Sequence, residues 1–260
     1  MKSIHEIKKV SLTIAIFVLF ISCGNKTEKS MAENLIHEIS NSEKNIEVKA
    51  DLLIGKALEK FKVAVLIYDG ALLLDYGIAA EMFLAANGMN SFEVFTVSAK
   101  ESANLSIVGK VKPNYSFENV PAADIVVVPG GMFWPQEGER PQTIEFLKKA
   151  QSNGAVLFSV CTGSLLLAKA GLLKGKEATT NNQALQMLNQ IDPSIVAVRN
   201  RKYVDAGNIL TSAGSGSSIE ATLYLIEKFT DPAVAKDLAK RYLDYPYEIN
   251  EILDPNKENE

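Results

Sequence analysis

AVLFSVCTGSLLLAKAG, residues 155–171, is the stretch whose reading decides the fold. Residues 155–160 form a short apolar run, the length of a strand buried on both faces. Cys161, Thr162, Gly163 and Ser164 follow, small side chains that let the chain turn sharply. Leu165, Leu166, Leu167, Ala168 and Ala170 continue as a packed helix, and Gly171 supplies its stop. Strand, tight turn and helix with a thiol at the corner make the arrangement of a nucleophile elbow. Such a corner lifts the sulfur off the sheet edge and sets it beside the amides of the helix N-terminus. Those amides are expected to stabilise a thiolate and to hold an oxyanion. The plainer alternative is a buried cysteine acting as a small hydrophobe; the local grammar favours the elbow.

The flanking segments repeat the alternation of strand and helix. Upstream, residues 124–128 (DIVVV) read as a buried strand ending in Pro129-Gly130-Gly131, and residues 141–152 as a helix with proline in its first turn. Residues 62–68 (KVAVLIY) are the first buried strand, turned by Asp69-Gly70. A helix is expected over 76–87 with Gly88 as its stop, then strands over 92–97 and 106–111. Downstream, 176–179 and 195–198 read as extended, and 183–190 as helical up to Asp192-Pro193. Residues 203–205 and 209–212 flank Ala206-Gly207-Asn208 as a hairpin, and helices follow over 219–229 and 232–242. This order predicts an α/β fold, a doubly wound, mostly parallel sheet with helices on both faces. Sites in such sheets gather beyond the C-terminal strand ends. The loops 69–75, 129–131 and the elbow are therefore expected to meet.

The chain has 260 residues, 47% of them hydrophobic, and a net charge of −4, enough for one domain with a real core. The mild acidity provides no basic footprint, which argues against a nucleic-acid partner. There are 2 Cys and 2 His. His5 and His37 both precede the domain, so composition excludes a Cys-His pair inside it, and a Cys/His zinc site with it. No metal and no cofactor is expected.

Residues 1–22 read as a signal peptide: Lys2, Lys8 and Lys9 precede an apolar run over 10–21 that is too short for a convincing membrane span. Phe20-Ile21-Ser22-Cys23-Gly24 resembles a bacterial lipoprotein signal, with Phe20 where leucine is usual. Cleavage there would leave Cys23 as the acylated first residue. The expected protein is exported to the bacterial cell envelope and held at a membrane by lipid. Residues 23–60 read as a polar linker, 61–248 as the domain and 249–260 as a charged tail.

The domain resembles the DJ-1/PfpI family, within the class I glutamine-amidotransferase-like superfamily, and most of all its isonitrile hydratase-like and AraC-regulator-sensor-like branch. The stretches that carry the resemblance are YDGALLLDYGIAAEMF, VVVPGG, SVCTGSLLLAKAGLLKGKEATT, DAGNILTSAG and IEATLYLIEKF. The resemblance implies a flavodoxin-like sheet, a homodimer, Cys161 as elbow nucleophile and Asp75 as an acid at the thiol. Asp75 also suits the N-cap of the helix expected from Tyr76. The resemblance further implies an oxyanion hole from the Gly131 and Thr162 amides beside Gly130. Glu81 matches a second family acid but fits equally a structural place in mid-helix. Ser212-Ala213-Gly214 either lines the crevice or only turns the chain. Leu223, Ile226 and Phe229 are most simply core.

Three departures qualify what carries over. Asn181 stands where the family usually has histidine, Ile78-Ala79 replaces a Gly-Pro, and residues 215–218 are unusually rich in glycine and serine. Without that histidine the resemblance argues against amidotransferase, protease and glyoxalase-type chemistry. Isonitrile hydration needs only a thiolate, an acid and water, and Asn181 can still orient a substrate. The expected function is a Cys161-dependent hydratase or hydrolase acting on a small molecule. The alternative is a redox-sensing or ligand-binding lipoprotein that keeps the fold without catalysis. The few residues after the domain leave no room for helix-turn-helix repeats, so a transcriptional regulator is not expected.

Overall fold

In a computed structural model, residues 60–86 and 91–247 are described. The proposed signal, Cys23, His5, His37 and the Gly88 stop lie outside the described residues. Seven strands form one sheet: β1 (Phe61–Leu66), β2 (Phe92–Ser98), β5 (Tyr115–Ser116), β6 (Ile125–Val128), β7 (Val156–Val160), β10 (Tyr203–Asp205) and β11 (Ile209–Ser212). Two small pairs complete the set, β3 (Ala103–Leu105) with β4 (Gly109–Val111), and β8 (Glu177–Ala178) with β9 (Val196–Ala197). The helices are α1 (Leu73–Ala85), α2 (Trp134–Gly138), α3 (Pro141–Ser152), α4 (Gly163–Lys169), α5 (Leu185–Ile191), α6 (Ser218–Phe229) and α7 (Pro232–Arg241).

The sheet order is β10-β11-β7-β6-β1-β2-β5. Every pairing is parallel except β10 with β11, the hairpin expected from Ala206-Gly207-Asn208. The central strands β6, β7 and β11 are buried at every position because both faces are covered. On one face Val63, Val65, Ile125, Val127, Val156 and Phe158 pack with residues of α1, α6 and α7. The alternate residues, Ala64, Leu66, Val126, Val128 and Leu157, pack on the other face with α3, α4 and α5. The period-two alternation of a strand thus feeds two cores from one run of sequence. The fold is the doubly wound α/β sheet expected.

Two details differ from the sequence reading. Helix α1 starts at Leu73, three residues earlier than expected, which places Asp75 in its first turn and not at its N-cap; Leu72 holds that position. The strand expected over 106–111 is instead the β3–β4 hairpin, because residues 106–108 turn the chain. The short helix α2 and strand β5 were below the resolution of sequence periodicity at their lengths of 5 and 2 residues.

The order in which strands are added reverses beside β1: β2 lies on one side and β6 on the other, all three parallel. That switch point opens a crevice at the C-terminal ends of β1 and β6. The loop after β1 closes on the loop after β6 through the Leu72 amide on the Gly130 carbonyl (3.0 Å) and the Met132 amide on the Gly70 carbonyl (3.1 Å). The elbow after β7 completes the crevice.

Gly163 makes the elbow possible. A Cβ on it would lie 2.0 Å from the Val128 carbonyl oxygen, backbone that cannot move aside. Gly163→Ala is therefore expected to destabilise the protein by more than ~2 kcal/mol. Gly77, inside α1, has only ordinary contact 3.5 Å away from Leu73, so Gly77→Ala should stabilise by roughly 0.5–1 kcal/mol. Urea unfolding of the two variants checks both signs.

Candidate active site

Cys161 follows β7 with φ of +54°, a left-handed backbone that non-glycine residues seldom adopt. Holding it there costs roughly 1–3 kcal/mol, so the surroundings must enforce it. They do so from three directions. The Cys161 amide donates to the Ser212 carbonyl (3.1 Å), as the sheet continues into β11. Thr180 Oγ1 and Ser164 Oγ donate to the Cys161 carbonyl at 2.8 and 3.3 Å. The strained corner and the sulfur it lifts above the sheet are the nucleophile elbow.

Asp75 reaches this sulfur from α1. Its side chain is fully buried, Oδ2 accepts the Gly130 amide at 3.1 Å, and Oδ1 accepts the Ser215 hydroxyl. The Cys161 thiol hydrogen-bonds the same carboxyl. Asp75 therefore spends its acceptors across the crevice and caps no helix. Burial pushes its carboxyl above the usual range, opposed by hydrogen bonds from Ser215, Gly130 and Cys161.

The thiol responds in the same direction. Burial and the Asp75 charge push Cys161 up to about 11, against hydrogen bonds from the Thr162 amide, the Asn181 side chain and the Thr162 hydroxyl. The sequence reading expected the helix amides to stabilise a thiolate. Those amides do act, but desolvation and a neighbouring anion outweigh them. Two buried acids facing each other cannot easily both ionise, and their proton losses belong to the pair.

The Gly130–Gly131 turn is held by Tyr68, a buried side chain whose hydroxyl donates to the Pro129 carbonyl at 3.0 Å. No side chain would fit here. A Cβ on Gly130 would lie 2.7 Å from Asp75 Oδ2, and one on Gly131 2.8 Å from the Tyr68 hydroxyl. The Gly131 amide donates to Thr162 Oγ1 at 3.2 Å, and the Thr162 amide to the sulfur. Both expected oxyanion donors thus lie beside Cys161, with partners inside the protein.

The structure brings together Cys161, Asp75, Gly130, Gly131, Thr162 and Asn181. Asn181, in the place of the family histidine, hydrogen-bonds the sulfur and accepts the Gln183 amide at 3.0 Å. Glu81 is exposed on α1 and takes no part. Ser212 supports the corner through its carbonyl, and the chain after it delivers Ser215. Sequence reading missed Ser215, Thr180 and Tyr68. Thr180 was signalled by the Thr-Thr pair before Asn181, and Ser215 by the glycine- and serine-rich departure; nothing local marked Tyr68. Among the described residues no cluster of His, Cys, Asp and Glu is placed to hold a metal.

A cysteine on a strained strand-to-helix corner, at the switch point of a doubly wound sheet and facing a buried carboxyl, defines a class of α/β proteins built around an elbow thiol. Within that class the chain belongs to the DJ-1/PfpI family, whose model matches residues 61–228. It is 34% identical to an isonitrile hydratase of Pseudomonas putida over 136 residues, 52% of this chain and 58% of that protein. It is 28% identical to the HTH-type transcriptional regulator CdhR of Pseudomonas aeruginosa over 181 residues, 68% of this chain and 53% of that protein. The chain thus spans little more than half the length of these relatives. Among solved structures, Drosophila melanogaster DJ-1beta superposes with a TM-score of 0.64 at 25% identity, covering 73% of this chain and 100% of that one.

Replacing Asp75 by a neutral amide removes the charge that raises the thiol. Asp75→Asn should lower the pH at which Cys161 ionises from about 11 and speed its alkylation at pH 9 roughly tenfold. The rate is read by mass spectrometry on the Cys161 peptide, so that Cys23 does not contribute.

Proposed function

We propose that the domain hydrates a small isonitrile to the corresponding N-substituted formamide, using Cys161 as nucleophile and Asp75 as proton carrier. The observation that carries this reading is the buried carboxyl hydrogen-bonded to the elbow thiol in a site where the described residues include no imidazole. The likeness to an isonitrile hydratase supports it. The sulfur attacks the terminal carbon of R–N≡C, and the proton shared by Asp75 and Cys161 passes to that carbon, giving the thioimidate R–N=CH–S. Water adds across the C=N bond to give R–NH–CH(OH)–S. The C–S bond then breaks, the hydroxyl proton returns to the thiol–carboxyl pair, and R–NH–CHO leaves. One proton moves at a time between one acid and one sulfur, so the missing histidine is not needed. The Gly131 and Thr162 amides would exchange their internal partners for the oxygen of the tetrahedral adduct. Asn181 would orient the substrate nitrogen.

A second reading is favoured by the likeness to CdhR, a transcriptional regulator: a ligand-binding or redox-sensing domain that keeps the corner without turnover. Formamide production from a panel of isonitriles by the full-length chain separates the two. The hydratase reading expects turnover that Cys161→Ala abolishes and Asp75→Asn lowers by about 10²–10⁴-fold. No turnover, with reversible oxidation of Cys161 to the sulfenic acid, favours the second reading.

We further propose that the protein is exported to the bacterial cell envelope as a homodimer anchored through acylated Cys23, acting on a small molecule and not on nucleic acid. Cys23→Ser should then move it from the membrane to the soluble fraction and remove incorporation of labelled palmitate. Light scattering of the detergent-extracted wild type should report two copies. A variant that stays in the membrane unlabelled, or a monomeric extract, would remove the corresponding part of the proposal.

A further inference from the structure

Asp75 takes a second hydrogen bond that the proposed reaction does not use. Ser215 lies 140 positions away in sequence, in the turn between β11 and α6, and its hydroxyl donates to Asp75 Oδ1. The turn is itself held. The fully buried Ser218 donates its hydroxyl to the Ser215 carbonyl at 2.6 Å, and its amide to the Gly214 carbonyl at 3.0 Å. Thr222 Oγ1 in turn donates to the Ser218 carbonyl at 2.6 Å. The first turn of α6 therefore fixes where the Ser215 hydroxyl can point. The groups facing Asp75 are Gly130 from the β6 loop, Cys161 from the elbow, Ser215 from this turn, and Tyr68 from the end of β1, whose buried phenol feels the Asp75 charge. Ser215 is the one side chain among these that donates a hydrogen bond to the carboxylate without being itself an acid of the thiol–carboxyl pair or tied to Pro129.

We propose that Ser215 is a positioning residue which, by donating to Asp75 Oδ1, sets how the single proton of the site is divided between the Asp75 carboxyl and the Cys161 sulfur. The proposal rests on the reading of Asp75 as the proton partner of Cys161. Its physical content is a balance between two arrangements of one proton, carboxylate with thiol and carboxylic acid with thiolate. The Ser215 hydrogen bond stabilises only the carboxylate, so it holds the site in the first arrangement. A hydrogen bond to a charged group is strong enough to shift that balance about tenfold. Ser215 therefore restrains the thiolate at rest, keeping the sulfur protonated until a substrate draws on it.

The test is the rate of Cys161 alkylation by iodoacetamide against pH in the full-length chain, followed by mass spectrometry of the Cys161 peptide, for wild type, Ser215→Ala, Ser215→Thr, Asp75→Asn and the double variant Asp75→Asn/Ser215→Ala. Ser215→Ala should raise the rate near pH 7–8 about tenfold, move the lower inflection to higher pH, and leave the rate above the thiol's own ionisation unchanged. Ser215→Thr, which keeps the hydroxyl, should restore the wild-type profile. In the Asp75→Asn background Ser215→Ala should change nothing. An equal acceleration at every pH, present also in the Asp75→Asn background, would mean only a loosened turn and would overturn the proposal. A Ser215→Ala profile identical to wild type, while Asp75→Asn shifts, would overturn it and leave the Asp75 reading standing. If Asp75→Asn itself leaves the profile unmoved, the Asp75 reading fails and the proposal falls with it.

Discussion

A buried carboxyl faces a buried thiol, and this pairing of Asp75 with Cys161 is the constraint on which the rest of the site depends. An anion in such surroundings survives only where hydrogen bonds replace the lost water. The fold supplies them from separate elements. The Gly130 amide comes from the loop after β6, the Ser215 hydroxyl from the turn after β11, and the Thr162 and Asn181 donors approach the sulfur instead. Only the switch point of this sheet order brings those segments to one crevice.

The same arrangement explains a thiol that is not resting as a thiolate. Many reactive cysteines are made acidic by a nearby cation or a helix N-terminus. Here the dominant neighbour is an acid, and burial and charge together push Cys161 up to about 11. A thiol held this way is poor at random alkylation and oxidation, yet its proton has somewhere to go once an electrophile enters. This suits a reaction in which the same proton is passed to the substrate. The restraint also suits a sensor.

Much of this was legible in the sequence. Apolar runs of strand length at 62–68, 124–128 and 155–160, separated by helices, pointed to a doubly wound sheet because such runs must be covered on both faces, and the strands lie at 61–66, 125–128 and 156–160. The small residues Cys161 to Ser164 announced the corner, and the hairpin at 203–212 fell where Ala206-Gly207-Asn208 placed it. What sequence could not show depends on contacts between distant segments. Asp75 read first as an acid at the thiol and also as a helix cap, and the earlier start of α1 leaves it in the first turn, facing Gly130 and Cys161. Burial and the charge of Asp75, which is distant in sequence, act on the thiol together, so local reasoning from the helix N-terminus pointed the other way. Ser215 and Tyr68 act across 140 and 61 positions, separations over which a sequence pattern names no partner.

The central claim is that Asp75 and Cys161 titrate as one pair. The most direct measurement is the carboxyl ¹³C chemical shift of Asp75 against pH in selectively labelled protein, assigned with Asp75→Asn and repeated in Cys161→Ala. The account predicts a first inflection above the ordinary carboxylate range, and a second, smaller displacement near pH 11 as the thiol ionises. In Cys161→Ala the second displacement should vanish. A single inflection in the ordinary range, the same with and without the sulfur, would contradict it.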